Sequence, residues 1–302
     1  MILLSGGTGT PKLIQGLMQI IPAEKITAIV NTADDMWVSG NLVSPDVDTV
    51  LYTFAGIIDD EKWWGIKNDS FRTYERLKSC GHGEEMMIGD LDRATHILRS
   101  ELIRNGVRLT DATSRICAQM GIRSKVLPMS DAPVSTIVAT PDGDLGFQKF
   151  WVELKGEPEV LDIRFDGIES AEPTPEVRDA LQSGDTIVIG PSNPITSIGP
   201  ILALDGITEI LKKAKVVVIS PIIGDKPVSG PAGKFMDALG IDVSSKGILD
   251  LYHEIVDIFI HDIRDECELT CDSCDILRAD TMMSNIDRAE AFARFVYEVS
   301  YN

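Results

Sequence analysis

The sequence has 302 residues, enough to bury a substantial core as one large domain or as one domain with a sizeable insertion. It carries 28 lysines and arginines against 47 aspartates and glutamates, and this net charge of −19 argues against nucleic acid or an acidic membrane as a partner. No apolar run approaches the roughly 18 residues of a membrane span, and no signal-peptide pattern is present, so we expect a cytoplasmic protein that holds anions with backbone amides and divalent metal.

The first dozen residues combine a short apolar run with glycines and a helical pattern. Residues 1–4 lead into Ser5-Gly6-Gly7-Thr8-Gly9-Thr10 and then into Pro11, which suits a first helical turn. Glycines let the backbone approach an anion, and the helix start offers free amides. The stretch predicts a strand, a phosphate-binding turn and a helix. Because it lacks the third glycine of a dinucleotide fingerprint and the end of a Walker loop, a tight turn without a ligand stays an alternative.

Four aspartates follow the next parts of the chain. The apolar run 26–30 ends in Asn31-Thr32-Ala33-Asp34-Asp35, and Ser44-Pro45-Asp46-Val47-Asp48-Thr49 precedes another helical pattern. Asp46 or Asp48 is the expected cap of that helix. Four carboxylates exceed what capping requires, and oxygen ligands at strand ends suit magnesium.

Residues 60–180 interrupt the alternation of strands and helices. The runs 134–140 and 145–154 predict an antiparallel hairpin. Spacing predicts three helices before it: one over 61–80, one that opens at 88–92, stops at Gly106 and has Ile97, Leu98, Leu102 and Ile103 on its inner face, and one capped by Thr110 or Asp111 that ends near Gly121. We therefore predict a smaller, substrate-covering domain at 60–180, inserted into a core formed by 1–59 and 181–302.

The alternation resumes after the insertion, with strands predicted at 186–189, 216–220 and 255–260 and a last helix from Ser284. Such alternation predicts an α/β fold, a Rossmann-like, doubly wound and mainly parallel sheet. Ligands of these sheets bind outside the carboxyl ends of the strands. Four polar clusters are predicted to meet at that edge: residues 5–10, 31–35, 190–197 and 220–226.

Three cysteines near the end of the chain have a metal-like spacing. Cys267-x-x-x-Cys271-x-x-Cys274 matches the spacing that holds a four-iron cluster, and zinc would require a further ligand such as His261. The acidic neighbours disfavour a metal-binding thiolate, so we expect reduced thiols without a metal. His82 lies in a glycine-containing loop, where solvation is the simpler interpretation.

Several short motifs occur together in a recognisable order. They are Ser5-Gly6-Gly7-Thr8-Gly9, Asn31-Thr32-x-Asp34-Asp35, Ser44-Pro45-Asp46-x-Asp48-Thr49-x-x-Tyr52, Gly89-Asp90-x-Asp92 and Gly190-Pro191-Ser192-Asn193-Pro194. As a set they resemble the 2-phospho-L-lactate transferase (CofD) family over nearly the whole chain.

The resemblance implies a role in making the precursor of the deazaflavin coenzyme F(420). A ribityl hydroxyl of the deazaflavin FO would attack lactyl-2-diphospho-5′-guanosine, with Mg²⁺, and GMP would leave. The resemblance also implies a homodimer and a catalytic Asp48. It further implies three groups of ligand-binding residues: Asp48, Thr49 and Met87 for the deazaflavin; Gly6, Gly7, Thr8, Gly9, Thr10, Asn31, Ser192, Asn193 and Gly224 for the nucleotide and diphosphate; and Asp34, Asp46 and Asp48 for the metal.

Two other functions fit parts of the pattern. Related proteins with the same Gly-Gly-Thr-Gly opening bind nucleotide sugars and regulate metabolism without catalysis. Asp46 and Asp48 ahead of Thr49, with an insertion large enough for a second substrate, favour the transferase. A nicotinamide dehydrogenase is weaker, because the third glycine and an acidic residue at ribose distance are missing.

Overall fold

The computed structural model describes residues 1–228 and 230–301, whose strands divide into one large sheet and three small ones. In chain order the strands are β1 (Ile2–Ser5), β2 (Thr27–Val30), β3 (Met36–Val38), β4 (Asn41–Val43), β5 (Lys125–Pro128), β6 (Ser135–Thr140), β7 (Gly143–Gly146), β8 (Asp162–Asp166), β9 (Ile187–Ile189), β10 (Val216–Ile219), β11 (Ile222–Ile223), β12 (Lys226–Pro227), β13 (Ile258–Asp262) and β14 (Asp275–Ala279).

The helices connect and cover these strands. They are α1 (Gly9–Leu17), α2 (Pro45–Ala55), α3 (Arg72–Ser79), α4 (Asp90–Arg104), α5 (Leu109–Gln119), α6 (Pro175–Leu181), α7 (Gly199–Ala203), α8 (Ile207–Leu211), α9 (Ala232–Ala238), α10 (Ser245–Tyr252) and α11 (Ile286–Tyr301). Within the two described ranges, no helix is both long enough and apolar enough to cross a bilayer.

The large sheet has seven strands in the order β14-β13-β10-β9-β1-β2-β5, and every neighbouring pair is parallel. This confirms the predicted α/β fold with a doubly wound, mainly parallel sheet. The strand order reverses between β1 and β9, because β2 follows on one side and the later strands on the other. That reversal opens a crevice at the carboxyl ends of β1 and β9.

Both faces of the sheet are buried, since successive side chains of a strand point to opposite faces. In β1, Ile2 and Leu4 belong to the cluster that packs against α6 to α10, whereas Leu3 belongs to the cluster under α1, α2, α5 and α11. All three are fully buried or nearly so. The crevice is thus framed by strands whose positions the core fixes.

The 60–180 segment contributes to two sheets. Strands β6, β7 and β8 form a separate antiparallel sheet, as the predicted hairpin requires, whereas β5 is the edge strand of the large sheet. Beyond Gly146 the predicted second strand is wrong, because Lys149–Glu153 forms a π-helical turn. The domain boundaries themselves stay a prediction.

The predicted helix over 61–80 is wrong in its first half, because only Arg72–Ser79 is helical. Trp63 and Asn68 have φ of 60°, in the left-handed region that a right-handed helix excludes. The backbone of 61–71 therefore forms turns, which bring Trp63 and Trp64 to the mouth of the crevice.

Two predicted helix caps are also wrong. Ser44 occupies the cap position of α2, so Asp46 and Asp48 lie in the first helical turn instead. Arg108 occupies the cap position of α5, and Thr110 donates its amide and its hydroxyl to Asp131, both at 2.8 Å. Because Asp46 and Asp48 do not cap α2, both are available for other contacts.

Candidate active site

A cavity of about 520 Å³ occupies the crevice where the strand order reverses. It extends from the turn after β1 to the start of α2 and to the turns at residues 62–65. The predicted site residues that line it are Gly7, Thr8, Gly9, Asp34, Asp46, Asp48, Thr49, Met87, Ser192 and Asn193. Three predicted clusters of the sheet edge, at 5–10, 31–35 and 190–197, therefore meet in one place.

The turn after β1 packs tightly against the segment that follows β9. Ser192 Oγ accepts the Gly6 amide at 3.0 Å and lies 2.7 Å from Thr10 Oγ1. A Cβ atom at Gly9 would overlap the carbonyl oxygen of Pro191. Gly6 and Thr10 thus support the turn from behind, and glycine at position 9 is what allows the two segments to approach.

Asn193 offers a free hydrogen-bond donor close to the start of α1. Thr8, at the cap position of α1, makes no capping hydrogen bond with its side chain. Asn193 Oδ1 accepts the amides of Ile195 and Thr196, at 3.0 and 3.3 Å. Its Nδ2 is buried without a partner among the described residues. Since an unpaired buried donor costs free energy, this amide suits a ligand oxygen.

Asp34 and Asp46 form a second feature of the cavity. Asn31 Nδ2 lies between them, 3.2 Å from Asp34 Oδ2 and 3.0 Å from Asp46 Oδ2. Burial and the charge of Asp46 raise the pKa of Asp34, and burial raises the pKa of Asp46 to about 6. Asp34 Oδ1 is buried and unpaired within the described part of the chain. Two repelling carboxylates with a free oxygen fit a divalent cation.

Asp48 lies deeper, against helix α4, and its two oxygens are already engaged. Arg99 donates to both, with Nη1 3.0 Å from Oδ2, and His96 Nε2 lies 3.1 Å from Oδ2. Burial disfavours the charged form, but the charges of Arg99 and His96 outweigh it and hold the pKa of Asp48 well below its ordinary value. Asp48 is thus a fixed anion and a weak base, and its bonded oxygens fit metal binding less well than those of Asp34 and Asp46.

A second carboxylate completes the group around His96. Asp92 Oδ1 lies 3.1 Å from His96 Nε2 and accepts the Tyr52 hydroxyl at 2.7 Å. Burial lowers the pKa of His96, but the contacts with Asp48 and Asp92 outweigh it and raise this pKa to about 9. The imidazolium is therefore the stable form at neutral pH, and it binds the two carboxylates together.

The sequence analysis missed the roles of His96 and Arg99 because it assigned α4 an apolar inner face. Ile97, predicted to be buried, is 48% exposed, whereas His96 and Arg99 are almost fully buried. Asp92, His96 and Arg99 recur at spacings of four and three residues, which places them on one helix face. This periodic spacing of polar residues was the feature of the sequence that could have predicted a polar inner face for α4.

The opposite wall of the cavity is apolar. Trp63, Trp64 and Trp151 line it together with Met87, whose side chain is 43% exposed. The ammonium group of Lys12 lies 5.1 Å from the centre of the Trp63 ring. The wall suits a flat aromatic ligand next to the polar groups.

Four predicted site residues lie outside the cavity lining. Gly6, Thr10 and Asn31 contact residues that do line it. Gly224 differs, because it lies in the turn between β11 and β12 and donates its amide to Asp265 Oδ1 at 2.5 Å. A role for Gly224 in nucleotide binding stays a prediction, without support from its position.

Fold and site define an α/β protein with a cavity in which polar groups at the strand ends face an apolar wall. The family model described as 2-phospho-L-lactate transferase CofD matches residues 1–288. The chain therefore belongs to the CofD family of 2-phospho-L-lactate transferases.

Named relatives agree with this membership. The chain is 53% identical over 299 residues to the 2-phospho-L-lactate transferase of Methanosarcina acetivorans, covering 98% of this chain and 97% of the relative. It is 46% identical to that of Methanocaldococcus jannaschii, covering 98% and 96%. A crystal structure of a UPF0052 family member from Bacillus halodurans superimposes with a TM-score of 0.65 at 20% identity, covering 100% and 99%. This last likeness concerns the fold alone.

Proposed function

We propose that the protein transfers the phospholactate group of lactyl-diphospho-guanosine to a ribityl hydroxyl of FO, and so acts in the biosynthesis of coenzyme F(420). The observation that carries the proposal is the single cavity in which anion donors, paired carboxylates and an aromatic wall face each other. Family membership and relatives named 2-phospho-L-lactate transferase support the same reaction. The predicted cytoplasmic location and homodimer belong to this proposal and stay predictions.

The two halves of the cavity suit the two substrates. The diphosphate would lie against the turn of Gly7, Thr8 and Gly9 at the start of α1 and the free amide group of Asn193, since helix starts and amides favour anions. The deazaflavin ring would lie on the tryptophan wall, beside Thr49 and Met87. This arrangement leaves the ribityl chain near Asp48.

The reaction exchanges one phosphorus–oxygen bond for another. The ribityl oxygen bonds to the phosphorus that carries lactate, the bond from that phosphorus to the bridging oxygen breaks, and GMP leaves with that oxygen. The hydroxyl proton passes to solvent or to a cavity carboxylate. Because Arg99 and His96 lower the pKa of Asp48, this residue suits holding the attacking hydroxyl by a hydrogen bond rather than removing its proton.

We further propose that Mg²⁺ binds Asp34 and Asp46. The unpaired Asp34 oxygen and the raised pKa values of both carboxylates support this assignment over one that includes Asp48. When bound, the cation would neutralise charge on the diphosphate. The acidic chain needs such a cation, because few basic side chains line the cavity.

The direct test incubates the protein with FO, lactyl-diphospho-guanosine and Mg²⁺. We expect a fluorescent product with more negative charge than FO, formed in equal amounts with GMP. Chromatography with fluorescence detection measures both. Binding of lactyl-diphospho-guanosine that leaves it intact, with no GMP released in the presence of FO, would instead indicate a nucleotide-binding regulator.

Replacing Asp34 by asparagine is expected to raise the Mg²⁺ concentration for half-maximal activity at least about tenfold, since even partners of metal ligands cost about 10-fold to 100-fold in affinity. Calorimetric titration of the free protein with Mg²⁺ gives a second readout. Asp35→Asn is the matched control, because Asp35 is a partly buried neighbour of Asp34 that lies outside the cavity lining and accepts the Ser44 hydroxyl at 2.6 Å. Equal effects of the two substitutions would refute the assignment.

A further inference from the structure

A second, open pocket lies at the amino ends of the strands of the large sheet, whereas the cavity lies at their carboxyl ends. It has a volume of about 890 Å³ and lies at the amino ends of β10, β13 and β14. Cys271 and Cys274, two residues of the cysteine motif, line it, and both are partly exposed. The transferase site does not use this pocket.

The two thiols lie three residues apart on the wall of the same pocket, and Cys271 Sγ lies 3.5 Å from Ser273 Oγ. Hydrogen bonding from Cys274 and Ser273 lowers the pKa of Cys271. Burial, the Cys271 sulfur and the charge of Asp275 raise the pKa of Cys274 to about 12. One thiol is thus the better thiolate and the other stays protonated beside it.

A metal does not fit this pair. Among residues 1–228 and 230–301, no third cysteine, histidine or carboxylate lies close enough to both thiols to complete a group of three ligands. Cys267, the third cysteine of the motif, instead groups with His261 and Asp265 at the other edge of the sheet. The predicted three-cysteine spacing therefore separates into a single cysteine and a Cys-x-x-Cys pair.

We propose that Cys271 and Cys274 form a redox-active dithiol that is oxidised to a disulfide by a small cationic or neutral disulfide. Cys-x-x-Cys pairs with one accessible thiol and one protected partner carry this chemistry in other proteins. The charge of the co-reactant follows from the pocket, in which Asp257, Asp272 and Asp275 outnumber Lys215.

The reaction is a thiol–disulfide exchange in two steps. The Cys271 thiolate attacks one sulfur of the small disulfide, forms a mixed disulfide and releases a thiolate that takes up a proton. Cys274 then loses its proton to solvent and attacks the Cys271 sulfur, which releases the second small thiol. The protein gives up two electrons and two protons, and the small disulfide becomes two thiols.

The test treats the full-length protein with cystamine, a cationic disulfide, and maps the products by peptide mass spectrometry. We expect a Cys271–Cys274 disulfide in the wild type and an accumulated adduct on Cys271 in Cys274→Ser. Cys271→Ser should leave Cys274 no more reactive than Cys80, an exposed single cysteine that serves as internal reference. Far-UV circular dichroism checks that both variants fold.

Oxidised glutathione, which is negatively charged, provides the second arm. We expect it to modify Cys271 several-fold more slowly than cystamine does, because of the surrounding carboxylates. Equal rates would refute the proposed charge of the co-reactant. A wild-type protein that keeps both thiols free, or a Cys274→Ser variant modified on Cys80 or Cys267 in preference to Cys271, would overturn the dithiol itself.

Discussion

Replacing Asp48 by alanine is expected to lower the free energy of unfolding by roughly 3–5 kcal/mol, the usual cost of removing one partner of a buried ion pair. The substitution leaves the Arg99 guanidinium, which is fully buried, without its anion. Because the pKa of Asp48 is lower in the folded than in the unfolded protein, the ion pair adds its full stability at pH values above the ordinary aspartate pKa. This stability is lost only as the pH falls below that value, toward the lowered pKa. Urea unfolding at pH 7 therefore measures the whole effect.

Turnover is expected to disappear in the same variant, whereas binding of a guanosine nucleotide persists, because Asp48 lies away from the Gly7 to Gly9 turn in the proposed arrangement. Activity and nucleotide binding are measured under conditions in which the variant is folded. Equal losses of turnover and nucleotide binding would place Asp48 at the nucleotide instead.

Two controls separate burial from charge. Asp111→Ala removes a partner of Arg108 in an exposed pair, with side chains 42% and 48% exposed, so we expect a loss below about 1 kcal/mol. Asp48→Ala combined with Arg99→Leu removes both buried charges and should recover most of the stability but no turnover. If Asp48→Ala and Asp111→Ala cost the same, the buried pair does not stabilise the protein as described.

The sequence predicted the parts of the fold that depend on local patterns. The strand, turn and helix of residues 2–17 follow from an apolar run, glycines and helical spacing, and the structure confirms them. Strands β5 and β14 were missed, because each lies at an edge of the sheet and lacks a continuous apolar run. These two segments become strands because β5 pairs with β2 and β14 pairs with β13. Such pairing is a tertiary contact, which residue spacing along the chain does not predict.

The site was predicted to a similar depth. Motifs at strand ends predicted that Gly7, Asp34 and Ser192 lie together, because the carboxyl ends of parallel strands share one edge, and all three line the cavity. The sequence analysis did not identify the partners of Asp48, since Arg99 lies 51 residues away on a helix of the 60–180 segment. An arginine in a helical pattern is ordinarily exposed, and only the folded chain shows which carboxylate it meets.

Gly9→Ala is expected to reduce kcat/KM at least about 100-fold, the scale expected when reacting groups move by about 1 Å. The new methyl group would overlap the Pro191 carbonyl, so the turn and the segment after β9 must separate. Such overpacking also lowers the free energy of unfolding by about 1–3 kcal/mol. Steady-state kinetics and urea unfolding measure the two effects.

Gly16→Ala distinguishes loss of function from loss of stability. Gly16 lies in the same helix, and its added methyl group would overlap the Ala289 carbonyl of α11, away from the cavity. Neither glycine has a positive φ, so both substitutions act by overpacking alone. We expect similar losses of stability, with kcat/KM nearly unchanged in Gly16→Ala. If Gly16→Ala reduced kcat/KM as much as Gly9→Ala, the turn after β1 would have no special role in substrate binding, and the cavity would lose its predicted phosphate site.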